Sequence, residues 1–232
     1  MASSVPPDQE AKWADVPLAT PTFGSGGRAT IMAACTSIAA SPATCLEVLL
    51  DASSYASWNR WIPRTTVQKP APAAADQTVS AALGPFLKQR GEDGEEKRTQ
   101  TLLQGTEFQF EVHMDPTSET KPRIQRTDLV VTVLEEFAGR DGRKGLRVCW
   151  KTRGDPWYLR AERTQELVER APADGGGCDY TCYETFYGPL APVVKLFAGA
   201  DLVRGFGMWM EDLRKASEEK EKERQKSGTS DA

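Results

Sequence analysis

The chain reads as an α+β domain of two layers. A curved antiparallel sheet of about seven strands wraps one long C-terminal helix, and two short helices follow the first strand. Three observations lead there. Between residues 107 and 187, apolar and polar residues alternate in runs separated by glycine-rich turns, the pattern of half-buried strands. Ser41-Pro42 sets an N-cap residue before a proline in the first helical position, ahead of Leu46, Leu49 and Leu50 at helical spacing. Beyond Pro189, apolar residues recur every three or four positions as far as Leu213, the stripe of a helix laid on a core.

In order, residues 1–27 are rich in Pro, Ala, Ser and Gly, a composition that favours a flexible tail or loosely docked arm. Trp13 and Phe23 are its candidates for packing. Residues 28–39 lack Gly and Pro and form a strand candidate, and the Ser41-Pro42 helix ends near Asp51. Residues 53–59 fit a second short helix or turn, stopped by Pro63. Thr65 to Val67 suits a strand. Residues 71–104 read as a loop-rich insertion, with a further strand suggested between Val79 and Leu87.

The pattern then sharpens. Phe108, Phe110, Val112 and Met114 alternate with Glu107, Gln109, Glu111 and His113. Leu129, Val131 and Val133 alternate next, and Leu146, Val148 and Trp150 return after the turn at Gly139 to Gly142. Strands over 157–169 and 178–187 complete a meander in which one face can be wet and the other dry. The terminal helix carries Leu190, Val193, Val194 and Phe197, then Leu202, Phe206, Trp209 and Leu213, with Val203 and Met210 widening the stripe. A charged tail, 219–232, closes the chain. The core is thus expected as one domain over 28–218.

Bulk numbers exclude several classes. The 232 residues are 39% hydrophobic and 27% charged, as in a globular protein. With 29 basic and 33 acidic residues and a net charge of −4, no basic field serves nucleic acid. No apolar run approaches the roughly 20 residues that span a bilayer. Neither a secretory nor a mitochondrial leader pattern opens the sequence, so a cytoplasmic location is expected. Five cysteines, Cys35, Cys45, Cys149, Cys178 and Cys182, and the single His113 argue for reduced buried thiols and against a metal site. His113 shares the polar face of its strand. No phosphate-binding loop, dinucleotide motif or nucleophile elbow occurs, and no cofactor is implied.

A curved sheet cannot touch a straight helix along its whole length, so the gap is either filled by large side chains or left as a pocket. The inward inventory is Phe108, Phe110, Val112, Leu129, Val131, Val133, Val148 and Trp150 from the sheet, with Phe197, Phe206, Trp209 and Met210 from the helix. Such an apolar wall with few polar groups suits a small-molecule site. Gly199, Gly205 and Gly207 each cost about 1 kcal/mol in a helix relative to alanine and point to bending or a thinned wall beside a void.

The Ser41-Pro42 helix start, Tyr55-Ala56-Ser57-Trp58-Asn59, the strand opening Gly105-Thr106-Glu107-Phe108, Arg163, and Glu184-Thr185-Phe186-Tyr187-Gly188-Pro189 together resemble the START-like helix-grip superfamily. It includes polyketide cyclases and dehydrases, ubiquinone-binding START proteins and plant Bet v 1-type proteins. The resemblance covers residues 28–218, and 1–27 and 71–104 depart from it. It implies an apolar cavity between sheet and C-terminal helix, opening near the short helices, with Trp58 near its mouth.

Arg163 is in phase with Leu159, Ala161, Gln165 and Leu167, and Glu184 with Cys182 and Phe186, so both face inward on neighbouring strands. They form a structural ion pair, or they meet a ligand's carbonyl or hydroxyl and move a proton. The sequence thus offers Trp58, Phe108, Phe110, Val112, Val131, Trp150, Phe197, Phe206, Trp209 and Met210 as ligand-binding residues. Arg163 and Glu184 are the catalytic pair if the protein is an enzyme. Two functions compete. One is a carrier or sensor of an apolar lipid, quinone or polyketide-like molecule, with transient membrane contact. The other is a cofactor-independent cyclase, dehydratase or isomerase of a polyketide-like substrate. A protein-interaction role, such as a chaperone regulator, stands third.

Overall fold

The computed structural model describes residues 4–72, 83–92, 99–115, 123–139 and 141–230. Eight strands form one antiparallel sheet: β1 (Lys12–Trp13), β2 (Ala29–Ile38), β3 (Arg64–Lys69), β4 (Glu107–His113), β5 (Ile124–Ala138), β6 (Lys144–Thr152), β7 (Arg160–Glu169) and β8 (Cys178–Tyr187). Their order is β1-β2-β8-β7-β6-β5-β4-β3. Among the described residues the α-helices are α1 (Pro42–Leu50), α2 (Tyr55–Trp58), α3 (Gly84–Glu92) and α4 (Ala191–Ser230). The α+β expectation holds, and the eighth strand is the two-residue β1, which adds to β2 from the N-terminal segment.

Helix α1 starts as its sequence requires. The Ser41 hydroxyl accepts the Thr44 amide at 3.1 Å, and Pro42 occupies the first turn. Its C-cap is Asp51, whose carboxylate is gripped by two nitrogens of the buried Arg90. Arg90 comes from α3, which stands where a strand reaching Leu87 was expected. Residues 73–82 lie outside the described residues, so the Val79 end of that expectation does too. Leu83, just before the helix, and Phe86 and Arg90 on it are buried against the body, a spacing of three and four that the polar stretch after Leu87 concealed.

The sheet is half-buried only toward its β3–β4 edge. There β4 alternates strictly, with Phe108, Phe110 and Val112 buried and Glu107, Gln109 and Glu111 turned outward. In β5 the alternation slips. A bulge between Val131 and Val133 places both Thr132 and Val133 opposite the Cys149 region, so Leu134, not Val133, turns into the core opposite Val148. From β6 to β8 both faces are covered, and β7 is buried from Ala161 to Leu167.

The second cover is the segment before β2, for which composition argues a tail or loose arm. It lies along the outer face. Leu18 bridges Thr30 and Thr185, Thr20 and Gly24 both meet the Tyr187 hydroxyl, and Gln9 accepts the Ala34 amide. The Thr22 amide and hydroxyl both bond Glu162, a fully buried carboxylate that also accepts from Thr132. Phe23 stacks on Tyr187 and faces the Arg160 guanidinium at 4.7 Å. Polar side chains on β7 and β8 thus act as hydrogen-bonding anchors for a segment with few apolar residues of its own.

Helix α4 crosses the concave face. Phe206, Trp209 and Leu213 point into the core, and the helix continues past Arg214 into the charged segment. Lys220 and Arg224 there pair with Glu47, a buried acid on α1. A carboxylate in that position needs a cation, and the extension supplies two.

Candidate functional site

Large side chains fill part of the space between sheet and helix. Tyr55, Trp58, Trp61, Phe108, Phe110, Trp150, Phe206 and Trp209 form one aromatic cluster with ring centroids 5.0 to 6.5 Å apart. Tilted and edge-on contacts at these separations add specific attraction to the burial of large apolar surfaces. Trp209 is fixed further by donating to the Tyr180 hydroxyl at 2.8 Å, which donates to Gln165 Oε1. Burial pushes the Tyr180 phenol well above its usual range, so it stays a neutral donor.

Beyond this cluster, toward the start of α4, a cavity of about 180 Å³ remains. Phe110, Val112, Met114, Leu129 and Trp150 wall it from the sheet. Val194, Ala198 and Leu202 wall it from α4, and Trp61 and Ile62 from the corner after α2. Leu159, Ala161 and Phe186 close it on the β7–β8 side, and Gln125, Thr127 and Thr152 bring polar atoms to its edge.

Arg163 and Glu184 meet in this wall. They lie directly opposite each other in the β7–β8 register, with Glu184 Oε2 accepting from Arg163 Nη2 at 2.8 Å and Nε at 3.2 Å. Trp61, Phe206 and Trp209 surround the guanidinium, with ring centroids 5.1, 4.7 and 5.3 Å from its central carbon. Burial opposes the charge, but the adjoining Glu184 carboxylate outweighs it and holds the group above its ordinary range. Nη1 is shut in among these rings without a hydrogen-bond acceptor. Glu184 differs. Its Oε1 accepts no hydrogen bond from any described residue, and the side chain keeps 16% of its surface open in the cavity wall.

The expected residues therefore divide. Phe110, Val112, Trp150, Arg163 and Glu184 line the cavity. Phe108, Val131, Phe206 and Trp209 are buried in the packed part and do not reach it, and Met210 lies on the side of α4 toward Cys35. Trp58 packs on Tyr55 and Trp209 and is not among the residues that line the cavity. Phe197 is 78% exposed, against the expectation that it faces inward. Leu190, Val193, Val194 and Phe197 straddle two faces of α4, and the inward one there is Val194, Ala198 and Leu202. Small Ala198 carried no apolar-stripe signal. Trp61 was visible as an aromatic at the corner, but nothing local distinguished it from Trp58.

The helix glycines also have a different reason from the one expected. Gly205 and Gly199 are seats for indoles: a Cβ on Gly205 would lie 2.1 Å from Trp61 Cε2, and one on Gly199 3.2 Å from Trp13 Nε1. Gly207 faces open space. The helix runs unbroken through all three.

His113 pairs with Glu111 on the outer face. The five cysteines are free thiols, and burial pushes that of Cys182 up to about 12, which suppresses the nucleophilic thiolate. Among the described residues no group of three His, Cys, Asp or Glu could hold a metal, and no helix is long and apolar enough to cross a membrane.

No protein-family model and no curated protein matches this sequence. Solved structures do match in fold. A hypothetical protein of Helicobacter pylori, jhp0584, superposes with a TM-score of 0.50 at 12% identity, over 81% of this chain and 86% of that one. Human STARD10 gives 0.47 at 10% identity over 82% of this chain and 63% of its own, and Ara h 8.0201 gives 0.35 at 11% over 78% and 97%. The Helicobacter pylori protein thus shares this chain's fold, an antiparallel sheet with a long C-terminal helix.

Proposed function

We propose that this protein binds a small, largely apolar molecule in the cavity beneath the first turns of α4, as a carrier or sensor. One observation carries the reading: a largely apolar space of about 180 Å³ with an open carboxylate oxygen, Glu184 Oε1, in its wall. The volume narrows the ligand class. An engineered apolar cavity of roughly 150 Å³ takes benzene, whereas drug-sized ligands occupy about 300–1,000 Å³. The space favours a one- or two-ring molecule, or one ring of a quinone- or polyketide-like compound, over a whole diacyl lipid. A hydroxyl or N–H on the ligand would satisfy Glu184.

The open Glu184 oxygen also supports a second reading, a cofactor-independent cyclase, dehydratase or isomerase. Glu184 would be the base. Arg163 would act as a fixed charge, because a guanidinium does not give up its proton at ordinary pH. A carboxylate without a second titrating partner in the wall supports binding better than acid–base turnover.

The test is calorimetric titration with a size series of phenol, indole, 2-naphthol and a long-chain fatty alcohol. The expected result is saturable binding of the ring compounds, weakened by Ala198→Phe, which fills the cavity from α4. Absence of binding across the series overturns the reading. Turnover of a polyketide-like substrate lost in Glu184→Gln would give preference to the enzyme.

A further inference from the structure

Between Pro192 and Arg204, the stretch of α4 that roofs the cavity, the one buried residue is Gly199. Val194, Ala198 and Leu202 turn inward there but meet the empty space, and only from Phe206 onward does the helix bury large side chains. The Trp13 indole is what covers Gly199. Its Nε1 donates to the Gly199 carbonyl at 3.4 Å, and a Cβ at Gly199 would lie 3.2 Å from the same nitrogen. Lys195, one turn earlier, holds its ammonium 5.5 Å from the centroid of that ring.

Register makes Trp13 part of the cavity wall. Trp13, Ile31, Glu184, Arg163, Trp150 and Val131 stand opposite one another in turn across β1, β2, β8, β7, β6 and β5. Side chains in one such row share a face of the sheet, so Trp13 faces inward in the row of the Arg163–Glu184 pair. Its ring lies tilted against Phe186, a lining residue, with centroids 5.9 Å apart. The indole thus fills the seam between the edge of the sheet and the roof helix. The strand that carries it is only two residues long and lies at that edge. Ties lie on either side of it, at Gln9 with Ala34 and at Leu18 with Thr30 and Thr185. So short an edge strand between two anchors belongs to the low-stability end of a fold.

We infer that Trp13 is the latch of the cavity. Seated on Gly199 it closes the seam, and lifting of Lys12 and Trp13 from β2 and α4 opens a path beside Phe186 and Glu184 for ligand exchange. The path lies away from the short helices, where Tyr55 and Trp58 pack against Trp209. This route rests on the ligand reading above, whereas the hold of Trp13 on α4 does not. A latch outside the ligand contacts sets how fast a ligand exchanges more than how tightly it is held, because entry and exit use the same opening.

Amide hydrogen exchange of the full chain without ligand reads the latch. Trp13→Ala removes the indole, and Gly199→Leu occupies its seat. Each is expected to speed exchange of the amides over 195–204 about tenfold, as loss of one partly buried aromatic contact implies, and to leave 206–213 unchanged. Stopped-flow mixing with 2-naphthol, followed by its fluorescence, reads the route. Association and dissociation are both expected to quicken about tenfold while Kd stays within about threefold, and Trp13→Phe, which keeps a ring on Gly199, falls between. Parent-like amide exchange over 195–204 in both variants overturns the latch. Faster amide exchange with unchanged 2-naphthol rates overturns the route, as does a weaker Kd carried by dissociation alone, which would make Trp13 a packing residue of the wall. If the parent binds no 2-naphthol, the ligand reading and the route fall together, and hydrogen exchange still decides the latch.

Discussion

The Trp61 indole lies directly on the backbone of Gly205, so that a Cβ at Gly205 would fall 2.1 Å from Cε2 and 2.5 Å from Nε1 of the ring. The contact fixes the corner after α2 against α4 and so sets one wall of the cavity. Alanine in a helix interior normally gains about 1 kcal/mol over glycine, but here the overpacking penalty of roughly 1–3 kcal/mol opposes it. Gly205→Ala is therefore expected to destabilise the protein, while Gly207→Ala, with nothing within 4 Å, gains nearly the full propensity term. Urea denaturation of the two variants should show shifts of opposite sign two residues apart. Equal shifts would mean that Trp61 is not held by this seat.

Arg163→Met removes the cation bonded to a half-buried Glu184 and the centre of a ring of three aromatics. Breaking one side of a buried pair costs about 3–5 kcal/mol, whereas replacing both partners by apolar groups is often close to neutral. Arg163→Met combined with Glu184→Leu should recover most of the lost stability in denaturant titrations. If the double variant stays as unstable as the single one, the aromatic cage, not the ion pair, is what Arg163 supports.

The N-terminal segment is clamped by Glu162, which is fully buried and bonded by the amide and hydroxyl of Thr22. Thr22→Val leaves a carboxylate short of one donor, a loss of about 1.5–3 kcal/mol for a hydrogen bond to a charged group. Limited proteolysis should then cut within residues 14–27 faster than in the parent. Unchanged cleavage would show that the backbone contacts alone hold the arm.

Asp128 lies where β4 and β5 pair. The Gln109 amide, with Gln68 and Arg153 beside it, holds its carboxyl below the usual range despite partial burial. A lowered native value favours the ionised form in the fold. The stabilisation is present above the unfolded value near 3.9 and is lost as pH falls through the native one. The side chain is more than a third exposed, so the effect should stay below about 1 kcal/mol. Asp128→Asn should lie slightly below the parent at neutral pH and converge with it near pH 2. A gap that persists at low pH would assign the loss to packing.

Much of the scaffold was legible because local chemistry specifies it. Ser41 with Pro42 starts α1, strict alternation marks β4, and the inward phase of Arg163 and Glu184 placed them on one face before their register was known. Where a second element intervenes, local reading failed. The bulge at Thr132 reverses the phase of β5, and no residue in that run announces it. Leu190 to Phe197 offered two apolar faces about 100° apart, and only the edge of the sheet decides which one is buried. The segment before β2 is held mainly by hydroxyls, amides and one buried acid on strands far away in sequence, so beyond the two aromatics Trp13 and Phe23 its composition did not announce how it docks.

The amino-acid order alone settled the two layers, the antiparallel meander, the capped first helix and the pairing of one inward arginine with one inward glutamate. Tertiary structure decided how much empty space is left between the layers, because that volume is a small difference between a curved surface and the rings packed on it. Periodicity records which way a side chain turns. It does not record how far the opposite wall stands.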